Sequence, residues 1–273
     1  MSMIIISSDS NEKGEEIAHT TARTLNYTFL GRDLLAVAAS RYGIPQEKLE
    51  WALEALPRSW GGAARLQRRA LSSIQATTLG ALLADNAVCH GLAAHLYVVG
   101  ISHALRVRIL ADPTELEREM SENQAVALEK SRILLDRRRR VRQRWSLTFF
   151  QIDETDPSRY DLVINLSQIV TEEAVKIIAQ TVAHRRFAAM TYSLKCLRDA
   201  ELASRVSAGL LEKFPKVKVR ADGGTVIVET KGTRFNKMKR TSAIKTQVQE
   251  IKGVEYVEVH VKNGLSKKSA MDS

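Results

Sequence analysis

The sequence predicts an α/β protein whose core has three layers, a parallel β-sheet with helices on both faces, followed by a small α+β unit. Short apolar runs rich in β-branched residues alternate with long stretches of helical periodicity, which is typical of a parallel sheet with crossover helices. Beyond Tyr192 the order changes to helix, strand, strand, helix, strand. The apolar runs of the sheet are residues 3–7, 86–89, 105–110 and 160–166.

The length of the chain and this change of pattern predict its domains. With 273 residues, the chain exceeds the ~100–200 residues of a typical domain. We expect a first domain at residues 1–187 and a second at residues 192–262. The polar residues 263–273 are predicted to form a disordered tail.

The first elements are predicted to be a strand, a turn and a helix. Met3–Ser7 is an apolar run typical of a buried parallel strand. The polar segment Ser8–Gly14 is interpreted as a turn, and Glu15–Leu25 as a helix with one apolar face. Start signals mark two later helices, because Asp112 precedes a proline as an N-cap and Thr171 precedes two glutamates.

The C-terminal unit is predicted to contain two helices and three strands. Asp222-Gly223-Gly224 is a hairpin signal between two alternating runs. The predicted helices are residues 199–214 and 236–251, and the predicted strands are residues 216–220, 225–230 and 254–261.

The composition favours anionic partners. The net charge of +10 and the pI near 9.7 are suited to nucleotide phosphates, nucleic acid or an anionic lipid surface. Cys89 and Cys196 form no CxxC pair and have no neighbouring ligand set, so neither a disulfide framework nor a metal site is expected. No run of ~18 apolar residues is present, and we expect a cytoplasmic protein without a transmembrane segment.

The most basic segment is residues 136–145, which contain too few apolar positions for a core helix. On a helix, Arg137, Arg140 and Arg144 share one face, where their guanidinium groups can bind phosphate. A solvated face without a ligand explains the pattern equally well. A third hypothesis is that this basic segment binds nucleic acid.

Three segments together resemble the cytidylate kinase-like family of P-loop proteins. They are the strand beginning at Ile4 with the following Asn26–Leu35, the arginine-rich run that begins with Asp136, and Asp156–Asn165. The resemblance spans about residues 1–185 and implies a P-loop kinase-like fold. It also implies ATP and Mg²⁺ as cofactors and phosphoryl transfer from ATP to a nucleoside monophosphate, CMP.

The same resemblance suggests site residues. Lys13, Arg137 and Arg140 are the candidate catalytic residues. The candidate nucleotide-binding residues are Ser8, Ser10, Gly14, Arg32, Asp33 and Arg144, and no metal ligand is assigned.

Two segments depart from the pattern of the family. A phosphate loop needs several glycines and a lysine, but here only Gly14 is present and Glu15 and Glu16 follow it. The family usually has Gly-Arg after the second predicted strand, whereas residues 89–92 read Cys-His-Gly-Leu. The sequence therefore leaves open a CMP kinase of weakened or lost activity and an inactive nucleotide-sensing or scaffold protein.

The C-terminal unit resembles a BON domain. The resemblance rests on Asp199–Phe214, the hairpin Val217–Val228 and the strand Gly253–Val259. It implies that residues 192–262 bind a phospholipid surface or a protein partner. A dimerisation or docking role fits the mixed Lys and Glu surface equally well.

Overall fold

The computed structural model describes residues 2–232 and 236–263. The first part of the chain contains β1 (Met3–Ser8), α1 (Asn11–Leu25), β2 (Thr28–Leu30), α2 (Leu34–Tyr42), α3 (Gln46–Glu54), α4 (Gly61–Leu82), β3 (Ala87–His90), α5 (Ala94–Tyr97), β4 (Ala104–Leu110), α6 (Pro113–Gln124), α7 (Leu128–Phe150), β5 (Leu162–Asn165) and α8 (Thr171–Val182). The second part contains α9 (Thr191–Leu210), β6 (Val217–Asp222), β7 (Thr225–Gly232), α10 (Lys237–Gln249) and β8 (Tyr256–Asn263). Within the described ranges, no helix combines the length and apolar character needed to cross a bilayer.

The main sheet is parallel throughout and has the strand order β2-β3-β1-β4-β5. Its central strand β1 pairs with β3 on one side and β4 on the other, so that Ile4 lies opposite both Val88 and Leu105. The predicted fold class and the four predicted strands are confirmed. Strand β2 was not predicted, because three residues at a sheet edge are too few to show a period.

Alternate residues of β1 supply two cores, one on each face of the sheet. Met3 and Ile5 belong to the core formed with α2, α3, α4 and the buried Trp145. Ile4 and Ile6 belong to the core formed with α1 and α8. Because both faces of the strand are buried, every position from residue 3 to residue 6 is apolar.

The connection between β1 and α1 differs from the prediction. A turn was expected over Ser8–Gly14, but only Asp9 and Ser10 separate the strand from the helix, which begins at Asn11. Ser10 has an extended backbone and its side chain accepts a hydrogen bond from the Lys13 amide, as an N-cap residue does. The polar run is therefore the first turn of the helix, and Gly14 is a helical residue.

The C-terminal part has the predicted order of helix, strand, strand, helix and strand. In its small sheet, β6 and β7 are antiparallel and β7 and β8 are parallel. The first helix was predicted at 199–214, but α9 begins at Thr191. It does so because Leu197 packs in the core of the main sheet, whereas Leu202 and Val206 pack against the small sheet. One helix therefore contributes to both cores.

The predicted tail lies almost wholly outside the described residues. Its first residue, Asn263, is the last residue of β8, and residues 264–273 are not described. The domain limits 1–187 and 192–262 stay predictions.

Candidate functional site

A cavity of about 650 Å³ lies at the carboxyl ends of β1, β3 and β4. Ser8, His90 and Arg108 line it from the sheet, and α6 and α7 supply side chains to its other walls. In open parallel sheets, ligands bind outside the carboxyl ends of the strands, where the chain connections lead to opposite sides. That point lies between β1 and β4 here, since β2 and β3 are on one side of β1 and β4 and β5 on the other.

At this cavity, α1 packs closely against the ends of two strands. Ser8 Oγ and His90 Nε2 share a hydrogen bond of 2.9 Å. A Cβ atom on Gly14 would lie only 2.5 Å from both Ser8 Cβ and His90 Nε2. Burial, with the positive charges of Arg32 and His19, lowers the pKa of His90 to about 4, so the ring is neutral at neutral pH. Gly14 therefore allows close packing of helix and strand.

The N-terminus of α1 is capped and surrounded by carboxylates. Ser10 Oγ accepts a hydrogen bond from the Lys13 amide at 3.3 Å and donates one to Glu119 at 2.9 Å. Lys13 Nζ lies 3.8 Å from Glu16. A helix N-terminus usually favours anions, but a triphosphate would meet several negative charges here. The charged residues lining this second pocket, of about 260 Å³, are Glu12, Glu115, Glu119, Glu122, Lys13 and Arg118.

Arg108 forms the polar floor of the larger cavity. Its guanidinium donates a hydrogen bond of 2.9 Å to Ser7 Oγ and another to a carboxylate oxygen of Asp9. The side chains of Arg108 and Asp9 are only 18% and 16% exposed. A fixed ion pair therefore lies beside the end of β1.

A buried network connects α7 to the wall of the cavity. Arg142 donates hydrogen bonds of 2.7 and 2.6 Å to the two carboxylate oxygens of Glu154 and one of 3.0 Å to the carbonyl of Leu53. The guanidinium also lies over the ring of Trp145, 4.6 Å from its centre. His95 Nε2 lies 3.2 Å from the same carboxylate. These contacts hold α7 against the rest of the cavity.

Burial and pairing set the charges in this network. Burial raises the pKa of Glu154, but the hydrogen bond from His95 and the charge of Arg142 outweigh that effect, and the net result is a lowered pKa. Burial also lowers the pKa of His95, against the opposing influence of Glu154. Glu154 is therefore ionised, and neutral His95 donates its Nε2–H to it.

Three consecutive arginines of α7 line the same cavity and are exposed: Arg137, Arg138 and Arg139. Arg108 and Arg142 pair with carboxylates, but these three have no ion pair among the residues that the structure describes. Their charges are therefore available to an anion in the cavity.

The structure distributes the predicted site residues over two places. Ser8, Arg32 and Arg137 line the larger cavity. Ser10 and Lys13 line the acidic pocket at the start of α1. Lys13 and Arg137, both predicted to be catalytic, therefore line different pockets.

The other predicted residues line neither pocket. Gly14 lies within α1, and Asp33 Oδ1 accepts a hydrogen bond of 3.1 Å from the Gly31 amide. Arg140 and Arg144 are exposed residues of α7 that are absent from both linings. The functional roles assigned to all these residues stay predictions.

Four residues of the cavity were missed from the sequence. Arg108 had a signal, because a charged residue inside the apolar run 105–110 is unusual in a buried strand. Arg142 was hidden among the arginines of its segment. His95 and Glu154 meet only through the fold, since 59 positions separate them.

Comparison with known proteins identifies the first part of the chain. The model of the cytidylate kinase-like family matches residues 3–168, which is more than half of the sequence. The chain belongs to the cytidylate kinase-like family. The matched region of this cytidylate kinase-like protein contains all five strands of the main sheet and ends before α8. No curated protein matches the chain.

Three solved structures align with this cytidylate kinase-like chain at low identity. An uncharacterized protein from Eubacterium ventriosum is 15% identical, with a TM-score of 0.49, over 68% of this chain and 100% of its own. A shikimate kinase from Bacteroides thetaiotaomicron is 14% identical, with a TM-score of 0.42, over 67% and 99%. A dephospho-CoA kinase from Campylobacter jejuni is 13% identical, with a TM-score of 0.37, over 66% and 97%.

The residues around the cavity do not fit Mg²⁺-bound ATP, the form of the nucleotide that kinases use. Mg²⁺ prefers carboxylate oxygens, but each carboxylate that lines the cavity is paired with an arginine. Within residues 2–232 and 236–263, no cluster of three or more His, Cys, Asp and Glu side chains could hold a metal ion. The pairs are Asp9 with Arg108, Glu54 with Arg32 and Glu154 with Arg142.

Proposed function

We propose that this member of the family binds a nucleotide in the larger cavity and does not transfer a phosphoryl group. The observation that carries the proposal is the two-residue connection between β1 and α1. P-loop enzymes hold the β- and γ-phosphates with the N–H groups of a glycine-rich loop and with its lysine. A connection of two residues, Asp9 and Ser10, is too short for such a loop. In addition, Glu15 follows Gly14 where a lysine is needed. CMP kinase activity is therefore lost and the protein acts as a nucleotide sensor.

The larger cavity supports nucleotide binding. Its volume of about 650 Å³ lies within the ~300–1,000 Å³ of small-molecule sites. Its walls include apolar side chains, among them Leu53, Leu92 and Met120. They also include the three arginines of α7 that form no ion pair with any described residue. A nucleotide combines an aromatic base with an anionic phosphate, so both parts find suitable surroundings. CMP and ATP are the nucleotides that the family implies.

Calorimetric titration with CMP, ADP and ATP, with ADP production from ATP and CMP followed on the same protein, tests the proposal. We expect binding without CMP-dependent formation of ADP. Lys13→Ala should leave the affinities unchanged within about twofold, since Lys13 lines the other pocket and pairs with Glu16. CMP-dependent ADP formation that disappears in Lys13→Ala would contradict the proposal, as would no binding of any of the three nucleotides at millimolar concentration.

We also propose that residues 192–262 form a BON-like unit that docks on an anionic phospholipid surface. The small sheet packs α9 and α10 against one face. The strand alternation directs a set of exposed basic side chains to the opposite face, which can attract anionic headgroups. These residues are Lys218, Arg220 and Lys231, whereas Lys262 on the same face pairs with Glu229 at 2.9 Å. Asp222 and Glu258 also lie on this face, so the excess of positive charge is small.

Sedimentation with vesicles tests the docking proposal. We expect the protein to sediment with vesicles of phosphatidylcholine and phosphatidylserine but not with phosphatidylcholine alone. The double variant Lys218→Glu/Arg220→Glu should lose this binding, whereas Lys237→Glu/Lys239→Glu on α10 should retain it. Equal loss in both variants, or no sedimentation of the native protein, would contradict a lipid-binding face and favour a protein partner.

A further inference from the structure

We propose that the cavity binds its nucleotide as the metal-free anion, with the phosphates on Arg137, Arg138 and Arg139 of α7. This inference rests on the proposed nucleotide-binding function. It adds the position of the phosphates and the ionic form of the ligand. The phosphates lie away from the N-terminus of α1, where the family's fold would lead one to place them.

The residues that line the cavity carry an excess of positive charge. Six arginines and three carboxylates line it, which leaves a net charge of +3 when its histidines are neutral. The carboxylates already pair with Arg32, Arg108 and Arg142. The excess positive charge therefore belongs to the three consecutive arginines of α7. Guanidinium groups bind phosphate oxygens with paired hydrogen bonds and keep their charge at any physiological pH.

A metal ion would work against this match. Mg²⁺ bound to the phosphates would cancel two of the negative charges that the arginines attract. The carboxylates that could bind it already pair with arginines, and freeing Glu154 would take its only carboxylate partner among the described residues from the half-buried guanidinium of Arg142. The free anion is therefore the better ligand.

The position of the phosphates follows from the contrast between the two pockets. At the start of α1, Ser10 already caps the amide of Lys13, and Glu119 accepts from Ser10. At α7, Arg137, Arg138 and Arg139 have no ion pair in the part of the chain that the structure describes. The bonds of Arg142 to Glu154 and to the carbonyl of Leu53 fix the helix. A phosphate site on a fixed helix loses little freedom on binding.

The apolar wall suits the base. Leu53 lines the cavity from α3 and Leu92 from the segment after β3, whereas Leu116 and Met120 line it from α6. A base whose aromatic face packs against these side chains can direct its phosphates towards α7. The ligand class is therefore a nucleotide, and ADP is the probe used for it.

Calorimetry with ADP and with inorganic pyrophosphate, each in excess EDTA and in excess Mg²⁺, tests the inference on the full chain. We expect both ligands to bind, with affinities at least fivefold higher in EDTA. Arg138→Ala/Arg139→Ala should weaken ADP binding at least tenfold. Lys130→Ala/Arg132→Ala, which removes two exposed cations of the same helix that do not line the cavity, should change it less than twofold. Circular dichroism checks that both variants keep the fold.

Each outcome decides between the two proposals. Tighter binding of ADP with Mg²⁺ than with EDTA would overturn the metal-free ligand and leave nucleotide binding intact. Equal losses in the two double variants would overturn the phosphate position, because a general attraction to the basic helix would then explain the affinity. No binding of ADP under either condition, together with no binding of ATP or CMP in the titration that tests the proposed function, would overturn that function itself.

Discussion

Two pockets of the protein carry opposite charge. At the start of α1, where P-loop proteins hold phosphates, the helix is capped by Ser10 and four glutamates line the pocket. At the larger cavity of about 650 Å³, α7 presents three arginines that have no ion pair within residues 2–232 and 236–263. The first pocket has no glycine-rich loop at its strand end, whereas the second has the positive charge that an anion needs.

This difference teaches that a fold and a phosphate loop depend on different residues. The strand order depends on apolar runs such as Met3–Ile6, which carry no catalytic information. A phosphate loop depends on a few residues of special conformation. Here a helix capped by Ser10 begins two residues after β1, and Gly14 allows the helix and the strand to approach closely.

The largest expected effect is the loss of stability when the network that fixes α7 is broken. Glu154→Ala removes the carboxylate that holds Arg142 and His95, and it leaves a guanidinium that is 29% exposed without its partner. We expect the free energy of unfolding to fall by about 3 kcal/mol, measured by urea denaturation. Arg159→Ala is the control, because its ion pair with Asp156 is exposed and is worth at most ~1 kcal/mol. Equal losses in the two variants would contradict a network that fixes α7.

The next effect is a pH-dependent change in stability caused by His90, which packs against α1. The pKa of His90 is lowered from 6.5 to about 4 in the folded state, so between these values the unfolded chain binds a proton that the folded chain does not. The stabilisation is therefore complete above the unfolded pKa and is lost as the pH falls towards 4. The free energy of unfolding should decrease by up to about 3 kcal/mol over this window.

His90→Asn tests this assignment. The amide can keep a hydrogen bond to Ser8 but does not titrate. The free energy of unfolding, measured by urea denaturation across the same pH window, should therefore depend less on pH, with up to one proton fewer taken up on unfolding. A pH dependence equal to that of the native protein would show that another group is responsible.

Gly14→Ala should also destabilise the protein, because Gly14 lets α1 approach Ser8 and His90 closely. Its Cβ atom would lie 2.5 Å from Ser8 Cβ and His90 Nε2, and relief of such overpacking costs about 2 kcal/mol. Gly62→Ala, at a helical glycine of α4 with no atom within 4 Å of the added Cβ, should instead be neutral or stabilise by up to ~1 kcal/mol. Denaturation midpoints of the two variants give the comparison, and a neutral Gly14→Ala would contradict the close approach.

The smallest effect is expected from the acidic pocket. Glu12→Gln/Glu115→Gln removes two of its carboxylates without removing the Glu119 that bonds Ser10. If the phosphates lie at α7, the affinity for ADP should change by less than about twofold. A large gain in affinity, measured by calorimetry, would place the phosphates at the start of α1.

The sheet was predictable from the sequence because its strands are buried on both faces and show continuous apolar runs. The short connection after β1 could not be predicted from the sequence. Residues 8–14 are polar in a turn and in a capped first helical turn alike, and Ser10 can serve either. The cavity residues were predicted in part, since Arg137 and Arg32 belong to recognisable segments, whereas the meeting of His95 with Glu154 depends on tertiary packing.

We propose that phosphates are bound by α7 and not by the N-terminus of α1, and a crystal structure of the protein with ADP, grown in EDTA, distinguishes the two positions. We expect both phosphates within hydrogen-bonding distance of the guanidinium groups of Arg138 and Arg139, with the base against Leu53 and Leu92. Phosphates bound at the amide of Lys13, beside Ser10, would contradict it.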